Sequence, residues 1–480
     1  MSRYTDYSQG DTPSGSEFYE IPLLDVPRFL TCSLASCIRP AVRNRGCPIC
    51  ILNLCAIHIL PQHHRCPSIN LLDNAAWEAT IGNEVKELLS EVNVPELVRV
   101  ASTHRGGISC QFQPGTHLGD GSMMGCANYH CWIIFDDGIK WIVRIPRTAS
   151  FDDVPQDLVD YLVASEYATL KFLEKIDTPT PKAYGFGLSS DPKNLVGEVM
   201  PGQSFYVNEA TDEQKSHVYS QYADFLIHIS HFPATQACSL HPDGEKTMES
   251  AIASNRFASL GKYGPFSDPI DYFSSIADLH LDLIADGQLY PEYPKEAFLF
   301  FRLLKDRAAP VLAAASTSTS GFFLKHVDDK GDHILIDENY NITGIIDWQF
   351  ARFVPACEAF GPSLITADLG KLYSGLLGLS TGDKNVAELL KQKGREDLAQ
   401  YAVGSELAKR FHFGLTVGLS KNEAMGMIGA VLSLLDVEIS DKGITGWVES
   451  EWDQAVSDSR CAKIEKLMGD LEREGLESKK

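Results

Sequence analysis

An aspartate occupies a position at which a buried strand would take another aliphatic residue. The stretch HVDDKGDHILIDENYNITGIIDW runs from His326 to Trp348, and its last apolar run, Ile345-Ile346-Asp347-Trp348, encloses a carboxylate. Burying a charge without a partner costs more than packing returns, so a carboxylate at Asp347 needs a reason to stand there. The run Trp141-Ile142-Val143-Arg144-Ile145 poses the reverse problem, a guanidinium inside a strand-like segment. Glu166, in the helical segment VDYLVASEYATLKFLEKI, is the carboxylate expected to pair with Arg144.

Around these charges the apolar periodicity separates a strand-rich portion from a helical one. NAAWEATIGNEVKELLSEVN, Asn74 to Asn93, puts Trp77, Ile81, Val85, Leu88 and Leu89 on one helical face, and a strand zone is expected to open near Leu97. ISCQFQPGTHLGDGSMMGCANYHCWIIFDDGIKWIVRIPR then reads as strand, glycine-bearing loop, strand, tight Asp-Asp-Gly turn and strand. Glycines at a bend between strands let backbone N–H groups approach phosphate oxygens. Gly119, Gly121, Ser122 and Gly125 are therefore candidate phosphate contacts, although glycines serve hairpins in the same way. TPTPKAYGFG is a proline-stiffened turn, and NLVGEVMPGQS a strand with a Pro-Gly break. From Phe205 to Ser320 the spacing is helical, as it is again through KNVAELLKQK, DLAQYAVGSELAKRF and AMGMIGAVLSLL. The C-terminal RCAKIEKLMGDLEREGLESKK is expected as a solvated or loosely docked helix.

The chain carries 42 basic and 64 acidic residues, a net charge of −22. That balance argues against a nucleic-acid-binding body and against general attraction to an anionic membrane. There is no run of roughly 18 apolar residues. The polar opening, MSRYTDYSQGDTPSGSEFYE, is expected as a disordered arm over 1–20 of a cytoplasmic protein, with the nucleus left open.

Six of the twelve cysteines, Cys32, Cys37, Cys47, Cys50, Cys55 and Cys66, fall in one short segment with His58, His63 and His64. Without a secretory signal the thiols are expected to stay reduced, and thiolates with imidazoles bind zinc tetrahedrally. Six cysteines and two histidines suffice for two closed four-ligand sites; reduced cysteines packed as small hydrophobes, or a disulfide framework, are the alternatives. The run CPICILNLCAIHILPQHHRC resembles the cross-brace zinc finger of the AN-one type, which ends C-x2-C-x4-C-x2-H-x5-H-x-C. By that resemblance Cys32, Cys37, Cys55 and His58 hold one zinc, Cys47, Cys50, His64 and Cys66 hold the other, and His63 is a bystander. The gap between Cys32 and Cys37 is four residues where two is usual. Two structural zinc ions would staple a segment too short to bury a core of its own.

FFLKHVDDKGDHILIDENYNITGIIDWQFA resembles the aminoglycoside phosphotransferase-like, choline-kinase-related family, worded H-G-D-x-x-x-x-N-I-L-V-D and then I-I-D-W. The likeness is nearest to fungal members with I-T-G-I-I-D-W and an Arg-Ile-Pro strand, and it extends from about Leu97 to the C-terminus. It implies an α+β, two-lobed protein-kinase-like fold: a small β-rich N-lobe over 71–204 and a larger helical C-lobe over 205–480, preceded by the zinc-stapled cross-brace domain over 21–70. It implies ATP and Mg2+ as well. The glycine loop and Arg144, paired with Glu166, would hold phosphates, a hinge around Glu198 to Met200 would hold adenine, and Asp347 would ligate magnesium. Asp328 aligns with the aspartate that accepts the proton of the substrate hydroxyl. The family's metal-binding asparagine is replaced by His333, a poorer magnesium ligand, and Asp332 could take its place.

The first expectation is an ATP-dependent kinase of a small-molecule alcohol, with Asp328 and Asp347 as its essential carboxylates. The second is a weak or inactive pseudokinase-like adaptor whose zinc finger binds a protein partner; His333 and an arginine where lysine is usual favour it. A protein kinase is disfavoured, because the chain contains neither H-R-D nor D-F-G.

Overall fold

The computed structural model describes residues 28, 30–34, 37–43, 52–59, 64, 74–116, 125, 127–147, 154–188, 195–242, 251–252, 262–317, 321–416 and 418–477. The expected arm over 1–20 lies outside them.

Two helices precede the main sheet. α1 (Asn74–Glu91) turns Ile81, Val85 and Leu88 inward. The strand zone expected at Leu97 is instead α2 (Val94–His104). Asn93 caps this helix by accepting the Glu96 N–H at 3.2 Å, Pro95 lies in its first turn, and Leu97 and Ala101 share its buried face. A cap, an early proline and an i, i+4 apolar pair together outweigh the β-leaning valines.

β1 (Cys110–Pro114), β2 (Asn128–Phe135), β3 (Lys140–Pro146), β4 (Ala183–Gly185) and β5 (Leu195–Glu198) form an antiparallel sheet in the order β1-β2-β3-β5-β4. Alternation makes one face of the β2–β3 hairpin dry, through Tyr129, Cys131, Ile133, Phe135, Trp141, Val143 and Ile145. The expected Asp136-Asp137-Gly138 turn closes the hairpin, with Gly138 at φ +87° supplying the left-handed residue the turn requires. α3 (Gln156–Lys175) follows β3 and buries Glu166 along with its apolar residues.

Beyond β6 (Gln203–Ser204) the chain is mainly helical: α4 (Asp212–Ile229), a β7 (Ala251–Ile252) and β8 (Lys262–Tyr263) pair, and α5 (Pro269–Ala285). Then α6 (Pro294–Leu303) runs through a π turn into α7 (Ala309–Ser316). Four short strands follow, β9 (Phe322–Lys325), β10 (Ile334–Ile336), β11 (Ile342–Ile345) and β12 (Arg352–Pro355). β10 pairs with β11 and β6, and β12 pairs with β9, so the β9–β10 and β11–β12 connections, which carry Asp328 and Asp347, are tied to the same small framework. Gly331 in the first connection packs so closely that a side-chain carbon would strike the Phe205 carbonyl. The remaining helices are α8 (Ala356–Ala359), α9 (Leu369–Tyr373), α10 (Thr381–Gln392), α11 (Glu396–Val403), α12 (Ser405–His412), α13 (Lys421–Leu434), α14 (Gly443–Ala455) and α15 (Ser459–Glu477). Phe273, Phe298, Phe300, Trp348 and Phe353 centre their common core. Among the described residues no helix is long and apolar enough to cross a membrane.

The C-terminal helix is not loosely docked. α15 buries Cys461 and Ile464, and Arg460 binds Asp278, Asp282 and Asp458 at 2.8 to 3.2 Å. Its Leu467 and Leu471 also pack on the N-terminal cysteine-rich head, whose own core is Cys32, Val42, Leu54, Cys55, Ala56, Ile57 and Ile59. Arg39 pairs with Asp470 at 3.0 Å, Arg28 with Asp286, and buried Arg43 donates to Gln288 Oε1 at 2.8 Å. An apolar stripe that reads as solvated when the chain is taken piece by piece is covered by a partner more than 400 residues away.

Candidate active site and thiol cluster

The anomalous charges of the two apolar runs meet. Arg144 on β3 brings Nη2 to 2.6 Å from Asp347 Oδ1 and 3.3 Å from Glu166 Oε1. Asp347 lies just past β11, at φ +67°, a left-handed conformation that aspartate tolerates better than most residues and that turns it out of the strand. One guanidinium thus serves two carboxylates, and they divide its effect. Burial raises the Asp347 carboxyl, but Arg144 and then His333 pull it well below the usual carboxylate range. Glu166, deeper and farther from the cation, is pushed up by burial to about 7, Arg144 opposing.

His333 and His326 shape the loops that carry Asp328 and Asp347. His333 Nδ1 donates to the Asp328 carbonyl at 2.8 Å, which leaves Nε2 facing Asp347 Oδ2 at 3.3 Å. His326 donates Nε2–H to the Ile346 carbonyl at 2.8 Å and packs on Trp348. Burial, reinforced by the neighbouring His333, holds His326 below its ordinary value, so it acts as a neutral brace.

The adjacent aspartates point differently. Asp328 lines a cavity of about 660 Å³ together with Arg144, Glu166, Asp332, His333 and Asp347. Asp329 is buried and lies outside that lining. Lys330 Nζ stands 3.5 Å from carboxylate oxygens of both Asp328 and Asp332. Asp332 Oδ1 is buried without a hydrogen-bond partner. Asp332 and Asp347 both line the cavity, so their carboxylate oxygens are donors of the kind a hard divalent cation would take.

Of the other expected nucleotide contacts, Gly125 and Met200 line the cavity. Glu198 ends β5 opposite Trp141. Gly119, Gly121 and Ser122 lie outside the described residues. Apolar Ile142, Val199, Leu335 and Ile346 join Met200 in the wall.

Sequence reasoning missed the polar residues on the C-terminal wall. Glu358 and His412 face each other at 3.2 Å, with Arg352 Nη2 3.3 Å from the second Glu358 oxygen, and all three line the cavity alongside Tyr373 and Phe413. Burial drives His412 down to about 4, so it is neutral. Lys325 and Arg352 carried the signal that revealed Arg144, a charge inside an apolar run, in Phe322-Phe323-Leu324-Lys325 and Ala351-Arg352-Phe353-Val354. Asn128, which donates to Gln349 at 3.1 Å across the β2 side of the cavity, had no local signal.

In the head, Cys32, Cys37, Cys55 and His58 gather with every ligand atom within 4.8 Å of the others. His58 Nδ1 is 3.3 Å from Cys32 Sγ and 3.4 Å from Cys55 Sγ. The three cysteines are free thiols. Burial pushes the Cys55 thiol up to about 12, with the neighbouring Cys32 and Cys37 adding to the rise and backbone hydrogen bonds opposing it. His64 is buried, while Cys47, Cys50 and Cys66 lie outside the described residues.

Residues 124–374, just over half of the chain, match the phosphotransferase enzyme family. Solved structures similar to the chain include a macrolide 2'-phosphotransferase from Brachybacterium faecium, at 14% identity over 72% of this chain and 99% of that one, TM-score 0.39. An ethanolamine kinase from Plasmodium vivax gives 12% identity over 74% and 84%, TM-score 0.40. An ADP-bound aminoglycoside phosphotransferase gives 13% over 72% and 97%, TM-score 0.37. No curated protein matches the chain.

Proposed function

The chain belongs to the phosphotransferase enzyme family, and from that premise we propose that it is an ATP-dependent kinase of a small-molecule alcohol. The observation that carries the reading is the Asp328 carboxylate in one cavity with the Arg144, Glu166 and Asp347 cluster. The acceptor oxygen forms a bond to the γ-phosphorus, the bond from that phosphorus to the β-bridging oxygen breaks, ADP leaves, and the hydroxyl proton passes to Asp328. Arg144 holds phosphate oxygens, and Glu166 holds Arg144. The apolar wall of Ile142, Val199, Met200 and Leu335 takes the adenine, and the Tyr373, Phe413, Glu358 and His412 wall takes the acceptor. Magnesium held by Asp347 and Asp332 would neutralise charge on the β- and γ-phosphates when bound.

Two structural zinc ions are proposed for the head, the first on Cys32, Cys37, Cys55 and His58, whose convergence supports it.

The test is transfer of radiolabel from [γ-32P]ATP to a panel of alcohols, amino alcohols and sugars by wild type and Asp328→Asn. A labelled acceptor that disappears with Asp328→Asn is the expected result; equal labelling by both proteins rejects Asp328 as the base. The adaptor reading is favoured by one observation, His333 at the asparagine position against Asp347. It requires that partner binding survive Asp328→Asn while no acceptor is labelled.

A further inference from the structure

Asp329, next in sequence to the proposed base, is 4% exposed and accepts three hydrogen bonds, from a helix, a strand and a loop. Tyr222 Oη of α4 donates at 2.8 Å, Lys325 Nζ of β9 at 2.9 Å, and the Leu364 backbone N–H at 2.8 Å. Lys325 Nζ also donates to the Pro362 carbonyl at 2.6 Å. The Lys325–Asp329 pair therefore grips the 362–364 segment twice, once through each charge. Pro362 and Leu364 line the same cavity as Asp328. A buried ion pair is a poor way to add stability, since apolar residues of similar volume often do as well; what it adds is one fixed geometry.

We propose that Asp329 is a positioning residue, coupling the loop that carries Asp328 to the cavity wall at 362–364 so that base and acceptor pocket move as one unit. The inference rests on the phosphotransferase reading. A carboxylate whose oxygens are engaged by Tyr222, Lys325 and Leu364 cannot itself take the acceptor proton, and this separates the roles of two adjacent aspartates.

Asp329→Asn keeps the shape and the acceptor for the Leu364 N–H, but leaves Lys325 without its counter-charge. Steady-state ATP hydrolysis, with water as acceptor, is measured on wild type, Asp329→Asn and Asp329→Asn/Lys325→Gln, with amide hydrogen exchange over 361–366. In Asp329→Asn we expect KM for ATP within about twofold of wild type, kcat lower by about tenfold or more, and faster exchange at Leu364. The double variant, which removes both charges and can restore an amide-to-amide bond, recovers part of the kcat; a merely structural role predicts no such split and no such recovery. Wild-type kcat in Asp329→Asn, or unchanged exchange at Leu364, overturns the inference. Should Asp329→Asn fail to fold, Tyr222→Phe removes one donor without stranding a charge, and the same two readouts decide. A wild type that turns over no ATP overturns the underlying reading instead, while exchange at Leu364 still tests the coupling.

Discussion

Arg144 and Asp347, 203 residues apart in sequence, meet at 2.6 Å, and the same guanidinium stands 3.3 Å from Glu166. Arg144→Met would leave two carboxylates around a lost cation. Breaking a buried pair in this way costs about 3–5 kcal/mol, and the partial exposure of Asp347 places this case toward the lower end. Both contacts are made by one nitrogen, Nη2, so Arg144→Lys keeps a cation that can stand between the two carboxylates and its loss should be smaller. Urea unfolding of the three proteins gives the ranking, and equal midpoints for wild type and Arg144→Met would refute the cluster.

His333 holds the Asp328 carbonyl with one nitrogen and faces Asp347 with the other. Asparagine there would offer a hard amide oxygen in place of imidazole nitrogen. His333→Asn is expected to tighten Mg2+ binding to the ATP complex on the order of tenfold, read by calorimetric titration. Weaker binding in the variant would make His333 a required part of this cation site.

His280 is buried against Phe301, donates to the Ile276 carbonyl at 2.8 Å, and is driven down to about 4 by burial. The unfolded chain takes up a proton on this histidine below about pH 6.5, whereas the folded protein resists until about pH 4. Its contribution is therefore intact above pH 6.5 and is lost as pH falls toward 4, a change of roughly 3 kcal/mol. His280→Phe keeps the stacking and cannot titrate, so the difference in stability between wild type and variant should shift in the variant's favour as pH falls through that window. A constant difference across it would contradict the assignment of a neutral buried histidine.

The head is fastened to the helical body through Leu467, Leu471, Asp470 and Gln288. Loss of metal should therefore be felt at the other end of the chain. Cys55→Ser is expected to lower bound zinc from two ions per chain to one by elemental analysis, and to open α15 to limited proteolysis. Unchanged zinc content would remove Cys55 from the ligand set.

The parts of this molecule that could be read from sequence are those in which a residue breaks its local pattern. Arg144 in an apolar run and Glu166 in the next helix pointed to one ion pair, and they stand 3.3 Å apart; the direct contact of Arg144 with Asp347 was not expected. The resemblance to a cross-brace zinc finger likewise grouped Cys32, Cys37, Cys55 and His58, whose ligand atoms converge. What escaped was decided elsewhere in the chain. Leu97 looked like the start of a strand because its helix depends on the Asn93 cap. The stripe of α15 looked solvated because the head that covers it is at the opposite terminus. Asp329 looked like one more acidic residue in an acidic loop, and only Tyr222, Lys325 and Leu364, brought in by three other segments, distinguish it from Asp328.

The proposed magnesium-dependent nucleotide site is built on Asp347. A ligand that binds the native state must raise its melting temperature, so the most direct measurement is a thermal-shift titration of ATP, with and without Mg2+, on wild type and Asp347→Asn. Asparagine suits the left-handed backbone at this position and removes only the charge. Stabilisation of wild type that requires Mg2+ and vanishes in Asp347→Asn is the predicted result. No stabilisation of wild type at millimolar ATP, or equal stabilisation of both proteins, would contradict it.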